Sequence, residues 1–124
     1  MRKILLAIKP EYVTKIFNQT KKYEFRRKIP RNIVNIVVVY ATEPEHKIIG
    51  EFEVMEVLSM KPTPLWEMTK DSAGITRAKF REYFRDCKTA YAYRIGNINL
   101  YKNPKSLEEF GIKQPPQSFV YLND

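Results

Sequence analysis

A short run near the N-terminus combines side chains suited to binding an anion or a nucleobase. Lys21, Glu24 and Arg26 fall within one short segment. On a strand, Glu24 and Arg26 would share one face opposite Tyr23 and Phe25, with Lys21 at the mouth of the site. Arginine offers a bidentate fork to phosphate or a base edge, and a carboxylate accepts from an exocyclic amine such as that of cytosine. The spacing equally fits an ordinary ion pair on a strand surface, so both interpretations stay open.

The same region carries most of the positive charge. The 124 residues include 22 Lys and Arg against 14 Asp and Glu, a formal net charge of +8. Residues 21–31 hold six of these cations and one acid, which places +5 of the +8 in one segment. Such a concentration is typical of polyanion binders, with a solvated charged surface as the alternative. Arg27 and Lys28 are candidate phosphate contacts, and Lys9 is a candidate for the pocket rim.

Cysteine and histidine are too scarce for several classes of site. Cys87 and His46 are the only residues of their types. One cysteine cannot form an internal disulfide, and one cysteine with one distant histidine cannot complete a structural zinc site. Zinc, haem and Ser-His-Asp chemistry are therefore not expected. The sequence predicts no metal and no cofactor.

Length and composition predict one globular domain over residues 1–124. The chain is 44% hydrophobic and 13% aromatic, which is enough apolar surface to order a core. No apolar stretch approaches the roughly 20 residues that a membrane span needs. The apolar start resembles a signal peptide only until Lys9 and Pro10 interrupt it. We therefore expect a soluble, cytoplasmic domain without a membrane partner.

The apolar pattern predicts the elements that must position the candidate site. Strands are expected at 3–8, 22–26, 33–41, 47–60 (with a bulge or bend at 55–57), 89–100 and 119–122, and helices at 10–19, 65–70 and 76–87, with a helical turn in 104–110.

Tyr91 and Tyr93 could stack on a base or pack in the core, the commoner role. Strands dominate without strict alternation with helices, which argues against a doubly wound parallel sheet. We expect an α+β fold, a small mixed β-barrel with flanking helices.

Residues 19–26, read QTKKYEFR, resemble the signature of the ASCH domain family, G-x-K-x-x-[T/E]-x-R. Lys21, Glu24 and Arg26 match it, and Gln19 stands at the glycine position. Further similarity lies at 8–10, 49–52, 91–93 and 116–119, so the resemblance covers nearly the whole chain. The family belongs to the PUA-like superfamily of RNA- and nucleobase-recognising barrels. The resemblance therefore implies that fold over 1–124, with the matching residues in one ligand pocket.

The resemblance also implies partners and activities. Small ASCH proteins are described as RNA-binding domains or transcription regulators, which implies RNA, more than DNA, or a modified nucleotide as partner. Some are amidohydrolases that deacetylate N4-acetylcytidine, and others are ribonucleases. The deacetylases place a threonine nucleophile where this chain has Glu24, and a glutamate where it has Lys79, with Glu82 the nearest acid. A carboxylate does not replace an activated hydroxyl, so of that catalytic set only Lys21 carries over.

Three hypotheses follow. The leading one is a binding module for RNA or a modified nucleotide, with a regulatory role. Its candidate binding residues are Lys9, Lys21, Glu24, Arg26, Arg27 and Lys28. The second is a nucleoside amidohydrolase or ribonuclease with Glu24 as general base and Lys21 as electrostatic stabiliser, for which Asp71 or Glu82 could supply a further acid. The third is a protein-interaction domain with a vestigial pocket, against which the basic cluster weighs.

Overall fold

A computed structural model describes residues 1–122, in which six strands and three α-helices form an α+β fold. No helix in this range has both the length and the apolar character needed to cross a membrane. The elements are β1 (Lys3–Ile8), α1 (Pro10–Phe17), β2 (Tyr23–Arg26), β3 (Ile36–Ala41), β4 (Lys47–Met60), α2 (Pro62–Thr69), α3 (Arg77–Tyr83), β5 (Ala90–Lys105) and β6 (Val120–Leu122).

The strands form one mixed sheet in the order β2-β5-β4-β3-β1-β6. β1 and β3 are parallel, and the other neighbouring pairs are antiparallel. This arrangement confirms the mixed α+β fold and rules out a doubly wound parallel sheet. Within residues 1–122, β2 and β6 are the two end strands of this order, so the predicted closure into a barrel is not confirmed.

The centre of the sheet is apolar on both faces. All six residues of β3 are buried, which explains their nearly continuous β-branched sequence. On one face, Ile4 and Val37 pack with Ile16 of α1. On the other face, Leu5 and Val38 pack with residues of the C-terminal segment. The β1–β3 pair therefore forms the rigid middle of the molecule.

A separate apolar cluster attaches the other two helices to the β2–β5 end of the sheet. The Phe25 ring of β2 contacts Phe80 and Phe84 edge-on, with ring centroids 5.0 and 6.2 Å apart. Leu65 of α2 and Ala92 of β5 complete this cluster. It holds α3 beside β2, where the candidate residues are located.

Two helices end earlier than predicted, and each is followed by a residue with a positive φ. α1 ends at Phe17 rather than at residue 19, and Gln19 has a φ of 68°. α3 ends at Tyr83 rather than at residue 87, and Asp86 has a φ of 64°. Gln19 stands at the position where the ASCH signature has glycine. Its left-handed backbone conformation is one that glycine adopts without a steric cost, and glutamine adopts it here.

Other boundaries differ through proline placement and strand pairing. α2 begins at Pro62 rather than at residue 65, because proline suits the first helical position, and Lys61 is its N-cap. β3 begins only at Ile36. β5 continues to Lys105, which pairs with β4, so the predicted turn in 104–110 is limited to a 3-10 turn at Glu108–Phe110. β4 matches its predicted range, and its register against β5 shifts at residues 54–56, near the expected bend.

Candidate functional site

A cavity of about 390 Å³ lies between the β1–α1 junction, β2 and α3, and we call it the β2 cavity. Its wall includes four of the candidate residues and two further charged residues of α3. The charged side chains of the wall are Lys9, Lys21, Glu24, Arg26, Lys79 and Glu82. Four cations against two acids give the cavity a positive balance.

β2 contributes Glu24, Phe25 and Arg26 to the wall of the cavity. Phe25 packs against α3, and side chains alternate along a strand, so the residues on either side share the opposite face. Across the β2–β5 pair, Glu24 lies opposite Tyr93 and Arg26 opposite Tyr91. Glu24 is only 6% exposed. The carboxylate is therefore part of the interior rather than of a solvated surface.

Lys21 is buried in the cavity wall, not placed at the mouth as the sequence suggested, and is 2% exposed. Its Nζ donates a 2.7 Å hydrogen bond to the Ala73 carbonyl oxygen. The same atom lies 4.8 Å from the centroid of the Phe25 ring and 5.0 Å from that of Tyr12, which is a cation–π arrangement. Burial lowers the pKa of the Lys21 ammonium to about 8, although the Glu24 carboxylate acts in the opposite direction.

Gly74 makes the buried position of Lys21 possible. Its φ is +66°, and a Cβ built there would overlap Cβ and Cγ of Lys21. Glycine satisfies both requirements, and no other residue does so without strain. The Lys22 N–H donates a 2.8 Å hydrogen bond to the Ser72 carbonyl oxygen, which ties segment 72–74 to the start of β2. In the sequence this segment lies between two predicted helices, and nothing in its pattern indicates a contact with Lys21.

Two buried donors beside Glu24 have no hydrogen-bond acceptor within residues 1–122: Arg26 Nε and Tyr93 Oη. Arg26 Nε lies 3.4 Å from Glu24 Oε2, close enough for an ion pair but without hydrogen-bond geometry. Arg26 Nη2 is held by the Ala7 carbonyl oxygen at 2.9 Å. Burial raises the pKa of Tyr93 to about 12, so its hydroxyl stays a donor. Unpaired buried donors cost free energy, and such atoms are frequently explained by a bound group.

The structure separates the other candidate residues into wall, rim and surface. Lys9 is exposed but lines the cavity. The Arg27 guanidinium lies 4.7 Å above the Tyr83 ring, itself part of the wall, which places Arg27 at the rim. Lys28 is exposed and is not part of the wall.

The structure also distinguishes the two acids left open by the sequence. Glu82 lines the cavity, where it forms an exposed ion pair with Arg85 at 3.4 Å. Asp71 lies in an exposed 3-10 turn and is not part of the wall. Across residues 1–122, no group of three His, Cys, Asp or Glu side chains is arranged to hold a metal ion. The most deeply placed charged groups of the cavity are therefore the Glu24 carboxylate, the Lys21 ammonium and the Arg26 guanidinium.

The fold of the chain is that of an ASCH-type domain. An ASCH protein of Zymomonas mobilis, known from a crystal structure, superposes with a TM-score of 0.90 at 25% identity, covering 98% of this chain and 88% of that one. A second comparison matches an ASCH domain-containing ribonuclease of Z. mobilis, 27% identical over 128 residues, covering 98% of this chain and 84% of that protein. The resemblance to ASCH domains is confirmed.

The chain belongs to the family described as "Domain of unknown function (DUF365)", whose sequence model matches residues 2–113. Two other relatives come from Ureaplasma parvum serovar 3. One is named ATP synthase subunit alpha (29% identical over 120 residues) and the other large ribosomal subunit protein uL22 (28% over 120 residues). Each match covers 96% of this chain, which spans only 15% and 39% of those relatives' lengths.

Proposed function

We propose that the β2 cavity binds one nucleotide of a single-stranded RNA or a modified nucleotide, and that the chain is an RNA-directed binding domain of the ASCH type. The observation that carries this proposal concerns two buried donors that have no acceptor within residues 1–122: Arg26 Nε in the cavity wall, and Tyr93 Oη on the β5 residue paired with Glu24. Together with the Glu24 carboxylate they offer donors and an acceptor, the pattern that reads a base edge. A volume of about 390 Å³ falls within the usual range for small-molecule sites.

The cations around the cavity suit the phosphates on either side of the bound base. Arg27 is held at the rim by Tyr83, and Lys9 lines the cavity at the β1–α1 junction. Phosphate contacts position a nucleic acid without specifying its sequence, whereas contacts to base edges specify it. We therefore assign positioning to Lys9, Arg27 and Lys28, and base recognition to Glu24 and Arg26.

Fluorescence anisotropy with short RNA and DNA strands at several salt concentrations tests this division. Replacing Arg27 and Lys28 by Ala should weaken all sequences alike and reduce the steepness of log K against log salt by about 0.7 per lost contact. The matched control replaces Lys102 and Lys113, exposed residues outside the cavity wall, and should change the slope less. Glu24→Gln should instead alter preference among bases by about 1–3 kcal/mol and leave the slope unchanged. Absence of binding to either polymer at low salt refutes the proposal.

RNA cleavage is the second candidate, and the ribonuclease relative together with the lowered pKa of Lys21 favours it. In that reaction Glu24 would take the proton of a ribose 2′-hydroxyl, whose oxygen then bonds to phosphorus. The 5′-oxygen would leave and take a proton from solvent, while Lys21 stabilises the charge on the phosphate.

A labelled RNA and its 2′-deoxy analogue distinguish binding from cleavage. Cleavage by the wild type that is lost in both Glu24→Gln and Lys21→Met, and that falls as pH rises through about 8, would make the protein a nuclease. Binding without cleavage supports the binding domain. Incubation with acylated nucleosides tests the amidohydrolase alternative in the same series of variants.

A further inference from the structure

A second concavity, of about 220 Å³, lies between α2 and α3, and we call it the α2–α3 groove. Positions 79, 82 and 83 of the α3 region line the β2 cavity, whereas positions 77, 80, 81 and 84 line the α2–α3 groove. With 3.6 residues per turn, these two sets occupy opposite faces of the helix. α3 therefore separates the two sites.

The wall of the groove combines an aromatic surface with two cations. Trp66 is half-buried, with its ring centroid 5.1 Å from that of Phe80. Arg77 and Arg81 are exposed and four residues apart on α3, so their side chains extend from the same face. Within residues 1–122, neither guanidinium forms an ion pair or a hydrogen bond to a side chain.

The acid on α2 is already partnered. Glu67 accepts a 2.8 Å hydrogen bond from Lys70 Nζ, which lowers the pKa of the carboxyl, and Arg77 adds a smaller contribution. The two arginines consequently retain their capacity for an outside anion. An aromatic face flanked by guanidinium groups is the arrangement that binds single-stranded nucleic acid, through base stacking and phosphate contacts.

We propose that the α2–α3 groove is a second nucleotide subsite for the strand that occupies the β2 cavity. The base stacks on Trp66, and Arg77 and Arg81 bind the adjoining phosphate. This inference rests on the proposed function of the β2 cavity. A helix is about 10–12 Å across, so a strand must pass over α3 to fill both sites, and a mononucleotide fills only one. Lys79, on the cavity side of α3, adds positive charge along that path.

Trp66 is the only tryptophan of the chain, so its emission reports directly on the groove. A single-stranded hexanucleotide should quench or shift the emission, whereas a mononucleotide should bind, as seen by anisotropy of a labelled sample, without that change. Replacing Arg77 and Arg81 by Gln preserves the fluorophore. This double variant should weaken hexanucleotide binding at least about fivefold and lower the salt slope by about 0.7 per lost phosphate contact. Mononucleotide binding should stay the same.

The control is Lys102→Gln with Lys113→Gln, which removes the same charge away from both concavities. Circular dichroism confirms that both variants fold. If the hexanucleotide binds while Trp66 emission is unchanged and the two double variants weaken binding equally, the groove is not a subsite, and the proposed function of the β2 cavity stands. If neither ligand binds at low salt, both proposals fail. If Glu24→Gln alters base preference but the Arg77/Arg81 variant equals wild type, only the groove is refuted.

Discussion

The interior β1–β3 pair of the sheet and its β2–β5 end use buried space in opposite ways. In the β1–β3 pair, every position of β3 is buried and apolar or aromatic, and the strand contributes no charged group. At the β2–β5 end, Lys21 and Glu24 are as deeply buried as core residues, and Arg26 Nε and Tyr93 Oη lack acceptors within the described residues 1–122. The first region stabilises the fold by removing apolar surface from water. The second buries charge, which costs free energy unless a ligand completes the pairing.

This contrast identifies the β2 cavity as the region where groups suited to binding lower the stability of the fold. Proteins depart from otherwise consistent design rules mainly at functional sites. The β2 cavity departs from two of them, since it contains a buried ammonium and unpaired donors. Around it, Phe25 packs edge-on against Phe80, and Gly74 lies directly against the Lys21 side chain. That support keeps the polar groups in place in the absence of a partner.

The largest expected effect is on the apolar side of the comparison. Leu5 is fully buried on the face of β1 that packs with the C-terminal segment, away from the β2 cavity. Leu5→Ala should lower the free energy of unfolding by about 2–5 kcal/mol. Chemical denaturation measures the loss. RNA affinity of the folded variant should equal that of wild type, and a matching loss of affinity would contradict the separation of the two regions.

A smaller and pH-dependent effect is expected from the charged side. The pKa of Lys21 is lowered from 10.5 to about 8 in the folded protein, so below about pH 8 the buried charge carries its full penalty. Between about pH 8 and 10.5 the unfolded chain binds the proton and the folded one does not, so stability rises with pH. At 1.36 kcal/mol per pKa unit, the wild type should gain up to about 3 kcal/mol relative to Lys21→Met across that range.

Denaturation of both proteins from pH 7 to 10.5 measures this difference, because the other titrating groups are common to both. Glu24→Gln provides the matched variant: loss of the carboxylate should lower the pKa of Lys21 further, and the gain should begin at lower pH. A constant difference between wild type and Lys21→Met would show that Lys21 is not buried as a charge.

The smallest effect concerns the turn that leads into the site. Gln19 has a φ of 68°, which costs a side chain roughly 1–2 kcal/mol. Gln19→Gly should stabilise the protein by roughly 0.5–1 kcal/mol after the entropy that glycine loses on folding. Gln114→Gly, at a position without positive φ, is the control and should not stabilise. Equal effects at both positions would remove the strain argument.

Local patterns in the sequence predicted most elements but not the burial of the site. The range of β4, the parity of Glu24 and Arg26 and the strand at β3 all follow from periodicity along the chain. The sequence places Lys21 at the mouth of the site, whereas the structure buries it in the wall. Its burial depends on Ala73 and Gly74, which are more than 50 positions away. No periodicity encodes such a contact.

The tertiary partners of the strand residues likewise could not be predicted from the sequence. Tyr93 could be assigned to packing or to stacking, yet its position opposite Glu24 follows from the β2–β5 register, which the sequence does not reveal. The chain after α1 and after α3 contains Gln19 and Asp86, respectively. Both are non-glycine residues that adopt a positive φ, contrary to their intrinsic preference. The alternation of side chains along a strand identifies which face of the sheet a residue occupies. The pairing of strands distant in sequence determines which residues that face contacts.

The central claim is that the β2 cavity binds a nucleotide through the unpaired donors beside Glu24. NMR of the Arg26 Nε–Hε group tests it most directly, because the atom is buried and has no acceptor within residues 1–122. Addition of a short single-stranded RNA should shift the Arg26 Hε signal and those of Tyr93, with no such shift in Glu24→Gln for the bases that lose affinity. Saturable RNA binding that leaves the Arg26 Hε and Tyr93 signals unchanged would contradict the claim.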